Sequence, residues 1–293
     1  MGLKADSSNL VVVKLQGGLG NQLFQYATGF ALAKTLDCQL MLDARFVGLG
    51  SNRIYQLNQL NISGKLASYP LLDYLPAIKS QKRFNRDYRV RGKKLKHIIE
   101  PHFHYWDKLQ SFSGRIYLDG YWQSHKYFAT FKKELVKEFS LRCNTKNDFN
   151  AMSSRISQNM SLGVHIRRGD YATNKITRSY HGVLNQFYFK NAIDHLGSSL
   201  NKKNIFYFTD DTNWVKSNFD TSEEQIISLQ NFTDTEELFL FSLTKKKVLS
   251  NSTFSWWGAW LGDNTGVVAP KKWFAPRSSH NTQDLFLNEW KLM

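Results

Sequence analysis

Residues 10–16 (LVVVKLQ) form a β-branched apolar run, GGLGN interrupts it at 17–21, and 22–36 (QLFQYATGFALAKTL) repeats apolar side chains at helical spacing. The pattern predicts strand, tight glycine turn and helix. A further apolar run at 39–43 (QLMLD) completes a β-loop-α-β unit of the kind that builds parallel sheets. Another strand is expected at 115–123 and a helix around 126–139, whereas 61–114 carries scattered aromatics and no clear period. The same alternation resumes at SLGVHIRRGDY (161–171), a helix from about 185 to 195, and NIFYFTDD (204–211). It ends with a helix at 234–244 and KKVLSNSTFSWWGAWL (246–261), a short strand followed by a loop into a helix. Strands alternating with helices on both sides of residue 150 predict two α/β layers with a cleft between them, an N-terminal domain over 1–150 and a C-terminal one over 151–293.

Composition supports a folded chain. With 293 residues, 42% hydrophobic and 22% charged, it has ample length for a buried core and lacks the profile of a disordered segment. Cys38 and Cys143 lack the paired spacing of a zinc site or a disulfide framework, so both are expected as reduced thiols in a cytoplasmic protein. No run is apolar enough to span a bilayer, the first residues lack the apolar stretch of a signal peptide, and Asp6 stands where a myristoylation signal needs Ser or Thr.

The net charge of +15 is uneven, with +12 falling in residues 1–150. Its densest stretch, 79–96, sets nine Lys and Arg against the single acid Asp87. Such a field suits either a solvated surface or peripheral docking on anionic lipid headgroups at the inner face of the cytoplasmic membrane. Nucleic acid is not expected, because no recognised nucleic-acid module surrounds the run.

Four segments carry candidate chemistry. Gly17, Gly18 and Gly20, with Asn21 and Gln22, lie between a strand and a helix, where backbone N–H groups approach a ligand closely. The spacing fits neither the dinucleotide fingerprint nor a P-loop. His165, Arg167, Arg168, Gly169 and Asp170 end an apolar strand; strand alternation would set His165 and Arg167 on one face and Arg168 and Asp170 on the other. Arg168 there suits an ion pair with Asp170, whereas the forked charge of Arg167 suits a diphosphate, with His165 beside it to contact a ring or a phosphate. Asp210 and Asp211 end the next strand, where acids bind a metal, hold sugar hydroxyls or cap a helix. Ser252, Thr253 and Ser255 precede or open a helix and offer donors to phosphate, while Trp257 and Trp260 suit packing.

Together GGLGNQLFQYA, HIRRGDY, FTDD and SNSTFSWWGAWL, in this order over residues 14–261, resemble the bacterial α-1,2-fucosyltransferases of glycosyltransferase family 11. The stretch 45–115 carries none of the family's motifs. The resemblance implies a GT-B-like fold of two Rossmann-like domains, GDP-fucose held by the C-terminal half and the acceptor met by the N-terminal half. It implies inverting, metal-independent transfer of L-fucose to the 2-hydroxyl of a terminal galactoside, an oligosaccharide or a lipid-linked glycan, as in O-antigen synthesis, with no cofactor. Arg167 then matches the arginine on the diphosphate and leaving oxygen, with Arg168 and Asp170 completing its motif. Glu237 (ELFLFS, 237–242) matches the acid on guanine, although the family usually has Asp there. Ser252, Thr253 and Ser255 match the phosphate cradle, and Asn21 an asparagine near the reacting groups. Asp170, Asp210, Asp211 and His181 are the candidates for general base.

Overall fold

A computed structural model describes residues 9–49, 53–67, 86–90, 93–142, 147–158, 160–262, 266–276 and 278–293, with only the backbone of 86–90 and 93. Two compact units emerge: Met1–Phe139 with Asn281–Leu285, and Ser140–His280 with Phe286–Met293. The division thus falls after Phe139, against the boundary expected at 150, and a short late segment belongs to the first unit. Both units are α/β and Rossmann-like, as the alternating pattern predicts. Cys38 is a half-buried free thiol, whereas Cys143 lies outside the described residues.

The first unit is organised by β1 (Leu10–Lys14), whose Val11, Val12 and Val13 have no exposed surface. Helix α1 (Leu19–Thr35) follows and is buried along nearly its whole length. Gly29 permits that burial, since a Cβ there would stand 2.2 Å from Val13 Cγ2. The sheet adds β2 (Leu40–Asp43), β3 (Lys65–Leu66), β4 (Arg86–Val90), β5 (Lys93–Ile99) and β6 (Arg115–Asp119). Its order is β3-β2-β1-β6-β5-β4, parallel throughout except for the β4–β5 hairpin. Read across the sheet, the numbers fall 3-2-1 and then 6-5-4, so β1 and β6 are neighbours and the order does not reverse between them. The helix expected around 126–139 is shorter, α2 (Lys132–Glu138), preceded by two 3-10 turns. Much of the basic stretch 79–96 lies outside the described residues.

The second unit starts with helix α3 (Asn147–Ser157) and β7 (Leu162–Ile166). Helices α4 (Gly169–Thr173), α5 (Lys175–His181) and α6 (Gln186–Gly197) lead to β8 (Ile205–Thr209), α7 (Thr212–Asn218) and β9 (Ile226–Ile227). Helix α8 (Asp234–Leu243), β10 (Lys246–Val248), α9 (Thr253–Leu261), β11 (Val267–Ala269) and β12 (Lys291–Leu292) complete it. The all-parallel order is β12-β11-β10-β7-β8-β9. Counted from β7, this is the 3-2-1-4-5-6 arrangement of a doubly wound nucleotide-binding sheet, whose ligand crevice opens beyond the carboxyl ends of the strands at the reversal. Here the reversal is the β7–β10 pair. Trp256, Trp257 and Trp260 are buried and pack edge or face against one another, with Trp290 against Trp256, so the tryptophans serve the core.

Candidate active site

β7 ends at Ile166, and the chain turns at Arg168 with φ −133° and ψ −51° before α4 begins. That turn cancels the strand alternation. Arg167 reaches forward to Asp170 (Nη2–Oδ1 2.5 Å) and across to Asp210 at the end of β8 (Nη1–Oδ2 2.9 Å). Burial works against its charge, but Asp210 and Asp170 outweigh it and hold the guanidinium above its ordinary pKa. Asp210 also accepts the backbone N–H of Arg168 at 2.8 Å. A Cβ on Gly169 would stand 2.5 Å from Asp210 Oδ2, so only glycine lets this carboxylate approach. The result is a charged fork, 23% exposed at the side chain, locked by two acids at the reversal of the sheet.

Arg168 is differently employed. Its Nε donates to Asp211 at 3.1 Å, and its guanidinium lies over the Trp214 ring at 4.3 Å. Asp211 caps α7 by accepting from the Trp214 backbone N–H at 3.1 Å. The pairing expected between Arg168 and Asp170 is therefore corrected: Asp170 pairs with Arg167, and Arg168 braces the start of α7. Of the roles open to the two acids, Asp211 takes the helix cap and Asp210 fixes Arg167. Among the described residues, no group of three or more His, Cys, Asp or Glu is placed to hold a metal ion.

His165 is buried inside the crevice wall. Its Nδ1 lies 2.6 Å from Ser250 Oγ, tying β7 to the end of β10, and its ring stacks on Phe254. Burial first, then the charge of Arg167, press its pKa down to about 3. It is thus neutral, and the phosphate contact considered for it can involve no imidazolium charge. Ser252 caps α9 by accepting from the Phe254 N–H at 3.3 Å, leaving Thr253 half-buried at the helix start. Ser255 departs from expectation: it has no exposed surface, and its hydroxyl is directed at the carbonyls of Ser250 and Ser252. It shapes the loop and is closed to a ligand. His181 stacks on Tyr171 with ring centroids 4.5 Å apart, and burial, aided by Arg167 and His280, lowers its pKa to about 4 against the opposing pull of Asp170.

Glu237, in the first turn of α8, is 6% exposed, and its Oε1 has no hydrogen-bond partner. Burial, and next the neighbouring charges of Asp234 and Asp210, push its pKa well above the usual carboxylate range against the pull of Arg167. An unsatisfied buried carboxyl beside a nucleotide-type crevice has the chemistry to receive paired N–H donors.

The glycine loop of the first unit sits at the equivalent edge of its own sheet. Gly17 takes φ +79°, a left-handed conformation that suits glycine, and Gly18 starts α1. A Cβ on Gly18 would stand 3.6 Å from Arg53 Nη1, so a guanidinium overhangs the loop. Gly20 is buried within α1. Asn21 accepts from Gln123 Nε2 at 3.0 Å. Gln22, which the sequence places with the ligand-approaching glycines, is fully buried: it donates to the carbonyls of Gly17 and Ile54 and accepts from the Gln56 N–H. It staples the segment after Arg53 to the glycine loop.

The profile of Glycosyl transferase family 11 matches residues 3–293. The chain belongs to that family. The transferase is 30% identical over 295 residues to an alpha-1,2-colitosyltransferase of Escherichia coli, covering 96% of this chain and 98% of that protein. It is 31% identical to the O-antigen biosynthesis glycosyltransferase WbnK of Escherichia coli (94% and 98% covered). It is 23% identical to galactoside alpha-(1,2)-fucosyltransferase 2 of Oryctolagus cuniculus (95% and 75%). In fold the transferase is similar to the GDP complex of FUT1 from Arabidopsis thaliana, with a TM-score of 0.50 and 16% identity over 87% of this chain and 69% of that one. The α/β, GT-B-like expectation and the family resemblance both hold. No helix among the described residues is long and apolar enough to cross a membrane.

Asn251, which opens the hydroxyl segment, donates its amide to the carbonyls of His181 and Trp273. Residues that the sequence patterns did not single out also shape the edge of the first unit: Glu100, Tyr121 and Trp122. Only the position of Glu100 at the end of an apolar run offered a signal.

Proposed function

We propose that this transferase moves L-fucose from GDP-β-L-fucose, with inversion and without a metal, to the 2-hydroxyl of a terminal galactoside on a surface or O-antigen glycan. The observation that carries the reading is Arg167, held between Asp170 and Asp210 at the sheet reversal, with the orphaned Glu237 carboxyl among the charges around it. In this reading the Arg167 fork receives the diphosphate and stabilises the negative charge of departing GDP, an effect commonly worth ~3–4 kcal/mol per preorganised donor. Asp170 and Asp210 aim it. Glu237 accepts the guanine N–H groups, the α9 start with Ser252 and Thr253 supplies phosphate donors, and Asn21 belongs to the edge that meets the acceptor. Docking of the basic stretch 79–96 on anionic lipid would bring the protein to a lipid-linked acceptor.

A second reading is favoured by the colitosyltransferase relative: the same crevice would take a GDP-linked colitose and form the same linkage. The experiment is GDP release in EDTA from GDP-fucose and from GDP-colitose, with and without lactose, and NMR of the product linkage. An α-1,2-fucosylated galactoside supports the first reading. Turnover of GDP-colitose alone moves the donor to the second, and loss of activity in EDTA with recovery in manganese overturns metal independence.

A further inference from the structure

The carboxyl edge of the first sheet carries a turn whose construction is costly. β6 ends at Asp119, and the chain passes through Gly120, Tyr121 and Trp122 before Gln123. Trp122 has φ +56°, and a left-handed backbone at a bulky residue costs about 1–2 kcal/mol. Its side chain is buried, and its indole N–H finds no acceptor among the described residues. Glu100, at the end of β5, pins the turn by accepting the N–H of Tyr121 at 2.7 Å and of Trp122 at 2.9 Å. Gly120 has no room for a side chain, since a Cβ would stand 2.3 Å from that of Glu100.

Tyr121 keeps 40% of its surface exposed, and its partly desolvated phenol feels the charge of Glu100, a carboxylate held by fixed backbone donors. Gln123, next along, donates to Asn21 of the glycine loop at 3.0 Å, so both segments meet beyond the carboxyl ends of the neighbouring parallel strands β1 and β6. Ligands of open α/β sheets bind outside the carboxyl ends of the strands. Each Glu100 oxygen already accepts one N–H and retains a second lone pair. A pyranose offers the complement: an apolar face of C–H groups for an aromatic ring and hydroxyl donors at its rim. Burial, opposed by the two N–H groups, moves the Glu100 pKa up to about 7.

We propose that Tyr121 and Glu100 form a subsite for a neutral pyranose of the acceptor, its C–H face lying on the Tyr121 ring and one hydroxyl donating to the Glu100 carboxylate. This rests on the glycan-acceptor reading above and names the residues that select the sugar. Because the backbone N–H of Tyr121, rather than its ring, holds the turn, truncating the ring leaves the fold intact.

The test is saturation-transfer NMR of methyl β-D-galactopyranoside on the GDP-loaded full chain, for wild type, Tyr121→Ala and Tyr121→Phe, with GDP affinity by calorimetry and acceptor KM with lactose. Tyr121→Ala is expected to weaken the sugar at least ~10-fold, on the scale of a lost aromatic contact, while GDP affinity stays within about 2-fold; Tyr121→Phe restores binding. A Tyr121→Ala protein that binds the galactoside as tightly as wild type overturns the subsite. So does a wild type that gives no saturation transfer. A wild type that makes no fucosylated galactoside, yet whose galactoside signal vanishes in Tyr121→Ala, overturns the proposed activity and leaves the subsite standing.

Discussion

Replacing Glu237 with Gln keeps the side-chain shape and removes its charge, and the two consequences should carry opposite signs. In the empty protein this carboxyl is buried with an unpartnered Oε1, and Asp234 and Asp210 add like charge. A carboxyl whose pKa is raised in the folded state binds more protons there than when unfolded, so it subtracts stability as pH rises through its titration. A glutamine amide in its place does not titrate. The empty Glu237→Gln protein should therefore be more stable than wild type by about 1 kcal/mol at alkaline pH, roughly 2–4 °C in melting temperature, with the gap narrowing in acid. Guanine presents N1–H and a 2-amino N–H side by side, and a carboxylate accepts both. An amide accepts one and turns its own NH2 against the other. Loss of one charge-assisted hydrogen bond, about 1.5–3 kcal/mol, should weaken GDP roughly 10- to 150-fold. Thermal melts across pH and calorimetry with GDP read the two effects separately. A Glu237→Gln protein that binds GDP within about 2-fold of wild type would remove the residue from guanine recognition, and one that melts below wild type when empty would contradict the burial argument.

Arg167→Ala should lower turnover at least ~100-fold if its fork meets the leaving diphosphate as proposed; near-normal turnover in a folded protein would end that role. Arg168→Ala removes the Asp211 pair and the Trp214 contact, so denaturant melts should show a loss of about 1–3 kcal/mol with a smaller effect on GDP affinity than Arg167→Ala has; the reverse ranking would exchange the roles. In the Glu237→Gln protein, where the raised Glu237 carboxyl no longer offsets His165 within the second unit, acid should act oppositely on the two units, which hydrogen exchange can follow at β7 and at β6. His165, held near 3 against an ordinary 6.5, contributes stability that is lost as pH falls through 6.5, about 1.4 kcal/mol by pH 5.5. Glu100, raised to about 7, contributes stability that grows as pH falls through 7, roughly 2 kcal/mol between pH 7.5 and 5.5. Equal acceleration at both strands would speak against this assignment.

The β1-turn-α1 unit was legible because a valine run, a left-handed glycine and a buried helix leave separate marks on composition. The division of labour between the two arginines was not. Strand alternation continued past Ile166 sets Arg167 and Asp170 on opposite faces, whereas the turn at Arg168 brings Arg167 onto Asp170 and across to Asp210. Which of the acids capped a helix depended on where β8 stopped, and Ser255 looked like a phosphate donor until the depth of α9 showed its hydroxyl enclosed. Gln22 misled for a similar reason: a polar side chain after a glycine turn serves a ligand or the backbone equally well, and only the segment at 54–56 decides. Nothing in the side chain of Trp122 announces positive φ, so the edge built on Glu100 left no mark in the linear pattern beyond the strand that precedes it.

Residues 281–285 return to the first unit before the chain closes the second. Asp284 receives the Tyr105 backbone N–H at 3.0 Å and pairs with Lys126, and a few positions later β12 and Trp290 join the other sheet and its tryptophan core. The halves are therefore not interchangeable cassettes. A hybrid that exchanges everything after Phe139 with a relative imports a foreign partner for Tyr105 and Lys126. The two units can be recombined with those of a relative only if the five-residue graft at 281–285 travels with the N-terminal half, so three splice points are needed where a linear map suggests one.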